Sequence, residues 1–274
     1  MTDARRRGTA RWGLALIVCV AAAALLGPWI APHDPLRGDV ERRLEPPSRE
    51  YLLGTDRLGR CQLSRTLVGG RTSLGLAVLG SAAVTSVALL MGALGAFGGR
   101  LADRIVTRLI NVFISFPSLV LALALVGVMG PSAAAVVAAI AWAWWPSEAR
   151  VVRSLFHTAR HRDFVDAAWL AGVHPVRILT RHVWPQVGPV LAVRLSLEVS
   201  SVILALSTLS FLGLGTQPPH PEWGVMLNEA RPFVTTAPHL LLGPGLALIV
   251  SVLGCNLVAE GLRERMDVRQ PEEW

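Results

Sequence analysis

No charged residue occurs from 109 to 147. As a single helix such a run would extend about 58 Å, roughly twice the ~30 Å hydrocarbon thickness of a bilayer. The chain must therefore turn inside it, and Gly127, Gly130 and Pro131 supply the break, because proline cannot continue a helix and glycine weakens one. Two spans follow, 108–129 and 132–147. Phe116-Pro117 is expected to bend the first, while Trp142, Trp144 and Trp145 suit the membrane interface.

The remainder repeats the theme. The chain has 274 residues, is 52% hydrophobic and carries a net charge of +7, and its mean hydropathy is +0.49 with a pI near 11.0. A soluble domain of this size is less apolar. The basic excess is read as arginine-rich loops beside membrane spans rather than as a nucleic-acid surface. All 26 basic residues are arginine, and there is no lysine. Cys19, Cys61 and Cys255 are odd in number and far apart, so no disulfide framework or zinc spacing follows.

In chain order, Arg5, Arg6, Arg7 and Arg11 precede an uncharged run at 12–31, long enough to be a retained first span rather than a signal peptide's shorter apolar core. Residues 32–71 hold eight arginines and six acids, and their prolines and glycines mark a folded connection. A second span follows at about 74–99, where Gly75, Gly80, Gly92 and Gly95 allow helices to approach closely. Another apolar span covers about 187–213 and contains Arg194 and Glu198, one helical turn apart and able to pair with each other. Pro218, Pro219 and Pro221 then forbid a continuous helix, and Pro221 is placed to open a short one over 222–230. The last span is expected at about 239–258.

The fold class is therefore all-α: a polytopic membrane protein with six transmembrane helices. Its parts are an N-terminal segment (1–11), a first span with an external connection (12–71), a five-span core (72–262) and a tail (263–274). With the termini inside, 16 arginines are cytoplasmic, 9 are external and Arg194 lies in a span. Eight of the external ones belong to the acid-balanced connection, so the positive-inside rule places both termini and the polar interlude 163–185 in the cytoplasm.

That interlude is patterned for local structure. Asp163 is expected to cap a helix, with Asp166 at its third position and Gly172 ending it in the left-handed conformation. Pro175 opens a second helix, which Pro185 is expected to halt. Phe164, Val165, Ala168, Trp169 and Leu170 are more apolar than a solvated loop requires. Two readings stay open at this level: a knob that meets a partner, or an amphipathic element lying on lipid.

Asp166-Ala167-Ala168, three residues, Gly172, twelve residues and Pro185 resemble the EAA loop of bacterial ABC-importer permeases. LGTDRLGR (53–60), Phe116-Pro117-Ser118, ARVVR (149–153), Arg181-His182 with Pro185, FLGLGTQP (211–218) and PEWGVM (221–226) are similar, in order, to the second permease of the peptide and nickel branch. The resemblance covers roughly 10–270. Asp166 departs from the usual glutamate, Trp184 from an aliphatic residue and Cys61 from an aspartate, whose cap or ion pair is then not expected.

The resemblance implies a type I ABC importer permease fold in the bacterial inner membrane. It also implies a second permease subunit, two ATP-binding subunits and an external solute-binding protein as partners, besides membrane lipid. Asp163, Asp166, Ala167, Ala168, Gly172 and Pro185 would couple to the ATP-binding subunit. Gly213, Gly215, Pro218, Glu222 and Trp223 would serve as an external gate or binding-protein contact. Short peptides are the expected cargo, with nickel or a metal chelate as the alternative. Without lysine the chain cannot supply a P-loop GxxxxGK[ST], so ATP and Mg are expected in partner subunits and no cofactor or enzymatic role is expected here. No HExxH or GxSxG occurs, and the seven histidines lack ligand spacing, apart from the i, i+4 pair His157 and His161, which reads as solvated. An intramembrane hydrolase lacks a base within the spans. A non-transporting assembly subunit gives no reason for a structured knob at 163–185.

Overall fold

The computed structural model describes residues 3–267, so residues 268–274 of the expected tail lie outside the described residues. Among the described residues there are ten α-helices: α1 Asp3–Ile30, α2 Gln62–Phe97, α3 Gly99–Ile114, α4 Ser118–Met129, α5 Ala133–Arg160, α6 Asp163–Leu170, α7 Pro175–Ile178, α8 Trp184–Phe211, α9 Trp223–Ala230 and α10 Leu242–Asp267. Among the described residues the only β-pairing is an isolated bridge between Thr55 and Cys61.

Among the described residues four segments are long and apolar enough to cross a membrane: Arg11–Ile30, Gln62–Phe97, Val176–Phe211 and Pro238–Glu264. The pair α3 and α4 makes a fifth if taken together. Helix α5 is the sixth element of the six-span reading; only its first half is free of charge, and it packs against α2, α3, α4 and α8.

Three boundaries differ from expectation. Helix α2 begins at Gln62, inside the expected connection, with Cys61 at its N-cap and no side-chain hydrogen bond there. Residues 108–129 are not one bent span: α3 and α4 meet at 86°. Pro117 cannot donate a backbone hydrogen bond, and its extended ψ of 123° starts α4 in a new direction. Helix α8 is continuous with α7 through a π-helical turn at Leu179–Val183.

Two apolar clusters stack along the bundle. One joins Val84, Val126, Ile140, Val202, Leu206 and Leu209 with Trp223 and Met226 of α9. The other joins Ile110, Trp145, Val152 and Phe156 with Val165, Ile178 and Val183 of the polar interlude. In lipid such contacts gain little from excluding water, so close shape fit decides them. At Gly92 a Cβ would lie 2.4 Å from Val152 Cγ1, which shows how closely α2 and α5 approach.

Candidate functional site

Helix α6 opens one residue before its expected cap: the carbonyl of Arg162 accepts from Val165 N at 2.8 Å and Asp166 N at 3.1 Å, and Asp163 is the first helical residue. Two acids in the first turn still face the helix's positive end. Gly172 has φ +73°, and Val173 N donates to Ala168 O at 3.1 Å, closing a Schellman-type turn. Pro175 opens α7 as expected, but Pro185 does not stop it. In the π-turn Trp184 N bonds back to Leu179 O, five residues earlier. This wider turn carries the helix past Pro185, which has no N–H to offer.

One face of α6 is anchored and the other is bare. Val165 is fully buried and Ala168 nearly so, whereas Asp163, Asp166, Ala167 and Gly172 are exposed and Leu170 is 91% exposed. Pro185 is exposed at the start of α8. A Cβ at Gly172 would meet nothing within 4 Å. The result is a short ridge with two carboxylates, a small-residue patch and an unpartnered leucine.

At the opposite end, the LGTDRLGR turn and α9 form a buried charge network. Asp56 accepts from Arg60 Nε at 2.6 Å, Glu229 accepts from Arg65 at 2.8 Å and Arg60 at 3.2 Å, and Arg65 also lies 3.4 Å from Asp56. The side chains are 1–12% exposed. Two acids thus face the two buried guanidiniums, as a buried network requires, and the half-exposed Arg57 lies 4.0 Å from Glu229 at its edge. Nothing near Glu229 in the sequence singles it out; its partners lie 164 and 169 residues away.

Glu222 and Trp223 form part of this scaffold. Glu222 is fully buried, caps α9 by accepting from Gly224 N at 2.9 Å and Val225 N at 3.1 Å, and accepts from Ser73 Oγ at 3.1 Å. Trp223 Nε1 donates to Thr66 O at 2.9 Å. They clamp α9 to α2 and are buried there. Gly215 is also buried, whereas Gly213 and Pro218 are exposed and line a cavity of about 370 Å³ with Arg57, Asn228 and Glu229.

Arg194 and Glu198 do not pair. Arg194 donates two hydrogen bonds to Glu148 of α5, at 2.8 and 2.9 Å, because the planar guanidinium fits a carboxylate side-on across the helix interface. Glu198 instead accepts from Thr85 Oγ1 of α2 at 3.0 Å. The three charged groups line a cavity of about 220 Å³ between α2, α5 and α8, whose other walls are chiefly apolar.

The family described as the binding-protein-dependent transport system inner membrane component matches residues 85–270, more than half the chain. The chain belongs to this family. Residues 3–47 also match the N-terminal transmembrane domain of oligopeptide transport permease C. The nickel transport system permease protein NikC of Escherichia coli K12 is 39% identical over 262 residues, covering 95% of this chain and 94% of that protein. The di/tripeptide transport system permease protein DppC of Pseudomonas aeruginosa is 39% identical, covering 93% and 86%. The glutathione transport system permease protein GsiD of Pectobacterium atrosepticum is 36% identical, covering 92% and 84%. The chain is thus a multi-pass permease component of an ABC importer, the part that forms the membrane passage rather than a catalyst.

Proposed function

We propose that this permease moves short peptides across the bacterial cytoplasmic membrane, driven by ATP hydrolysis in separate subunits that dock on 163–185. The ridge of α6 carries the reading: Val165 anchors it to the bundle while Asp163, Asp166, Ala167 and Leu170 face outward. An exposed apolar side chain beside fixed carboxylates is a surface suited to a protein groove. Both termini then lie in the cytoplasm, in keeping with the arginine distribution. ATP and Mg belong to the docked subunits. A second permease completes the passage, and an external binding protein delivers cargo near Gly213 and Pro218.

Nickel is a second reading, carried by the E. coli relative, which is as similar to this chain as the P. aeruginosa di/tripeptide permease. The affinity of the cognate binding protein for dipeptides against nickel separates the two. The coupling surface is tested by Asp166→Arg and Gly172→Phe in the assembled importer, with peptide uptake and co-purification of the ATP-binding subunits measured together. Loss of both is expected; survival of both at wild-type level would overturn the assignment.

A further inference from the structure

Helix α3 (Gly99–Ile114) presents three distinct stripes. Val106 and Ile110 are buried against the bundle, and Phe113 stacks on Trp142 at 6.1 Å and meets Trp145 edge-on at 5.6 Å. A second stripe, Leu101, Ile105, Leu109 and Val112, is apolar yet 39–71% exposed. The third is basic: Arg100, Arg104 and Arg108 recur every four residues, all exposed, and none forms an ion pair with the described residues. The helix's one acid, Asp103, is held by Arg153 of α5 at 2.6 Å, so it does not neutralise them.

The 86° turn between α3 and α4 means that both cannot run along the membrane normal. Helix α4 has no charge, whereas α3 has four charged residues, so α3 is the one that lies toward the membrane plane. It does so at the end of the bundle that carries α6, because Arg153 and Arg160 of α5 bind Asp103 and the carbonyl of Ala96. An apolar stripe flanked by a row of unpaired arginines has the chemistry of the boundary between acyl chains and anionic headgroups.

We propose that α3 is an interfacial helix that binds anionic phospholipid, with Arg100, Arg104 and Arg108 on the headgroup phosphates and Leu101, Ile105 and Val112 among the upper acyl carbons. Three arginines in one row concentrate anionic lipid beside the permease, since each basic group near such a surface adds to the attraction and salt screens it. The assignment is independent of the cargo and of the coupling role of α6.

The test uses the assembled importer in vesicles of phosphatidylcholine with phosphatidylglycerol, with spin-labelled forms of each lipid reporting which is held at the protein surface. A severalfold preference for phosphatidylglycerol is expected, falling toward parity in R100Q/R104Q/R108Q and in high salt. In a Cys19→Ser background, a nitroxide on Leu101→Cys should read a depth at the headgroup boundary. An unchanged lipid preference in the triple variant would overturn the proposal. So would a nitroxide near the bilayer centre, or one shielded from lipid on assembly, which would assign the face to a partner subunit.

Discussion

Arg65 near the start of α2 and Glu229 on α9 form a 2.8 Å ion pair across 164 residues of sequence, with side chains only 1% and 12% exposed. Arg60 shares the same carboxylate at 3.2 Å. Glu229→Gln therefore leaves two buried guanidiniums with Asp56 alone, and such a loss costs about 3–5 kcal/mol. Thermal unfolding of the purified permease should show a large drop. Limited proteolysis should cut first within 32–61, the segment the network holds down.

The pair between Arg194 and Glu148 predicts a different pattern. Arg194 is 41% exposed and Glu148 10%, so Arg194→Met should cost less, about 1–2 kcal/mol. Exchanging the two, Glu148→Arg with Arg194→Glu, should recover most of it. Pairing Arg194→Glu with Glu198→Arg should not, because those two side chains do not meet. Unfolding midpoints of the three variants decide this.

Leu170 separates folding from coupling. At 91% exposure it contributes little to the fold, so Leu170→Ser should leave stability within about 0.5 kcal/mol. Uptake by the assembled importer should nevertheless fall, because the substitution removes the apolar tip of the α6 ridge. Parallel measurement of melting and transport checks both halves.

Cys61 occupies the N-cap of α2 without a side-chain hydrogen bond. Cys61→Asp supplies a side-chain acceptor for the second and third N–H groups of the first turn, Gln62 N already donating to Gly54 O, a change worth about 0.5–2 kcal/mol. The expected result is a higher unfolding temperature with uptake retained.

In the connection between α1 and α2, Arg42 binds Glu50 at 2.5 and 2.8 Å, and that hydrogen-bonded guanidinium holds the Glu50 carboxyl below its ordinary range. A depressed carboxylate stabilises the fold above its unfolded pKa, and the contribution is lost as pH falls through the lowered value. The amide protection factors over 40–52 should thus be unchanged from neutral to mildly acidic pH and fall only below the usual carboxylate range. Glu50→Gln should remove the dependence.

The apolar spans are legible in the sequence because a charge-free run of bilayer length suits little besides a membrane crossing. The same holds for the left-handed Gly172 and for the short helix after Pro221, where one residue's backbone preference decides the outcome. Pairings are not legible. Arg194 and Glu198 stand one turn apart, yet bundle packing puts Glu148 closer to the guanidinium than its own helix does. Glu229 lacks any local sign of its role, since its partners come from a turn near the other end of the chain. Pro117 announces a change of direction but not its size. Pro185 fails to halt its helix because a wider π-turn absorbs a proline that would end an ordinary one.

From Val176 to Phe211 the chain is one rod of 36 residues, about 54 Å long. The π-turn joins α7 to α8 without a break in the helix, so the segment has the length and continuity of a lever. A tilt of about 5° around the midpoint of a rod that long would carry each end about 2 Å in opposite directions. A push received beside α6 would thus arrive, reversed, at Phe211, where the chain turns toward Glu222 and the charge network of α9.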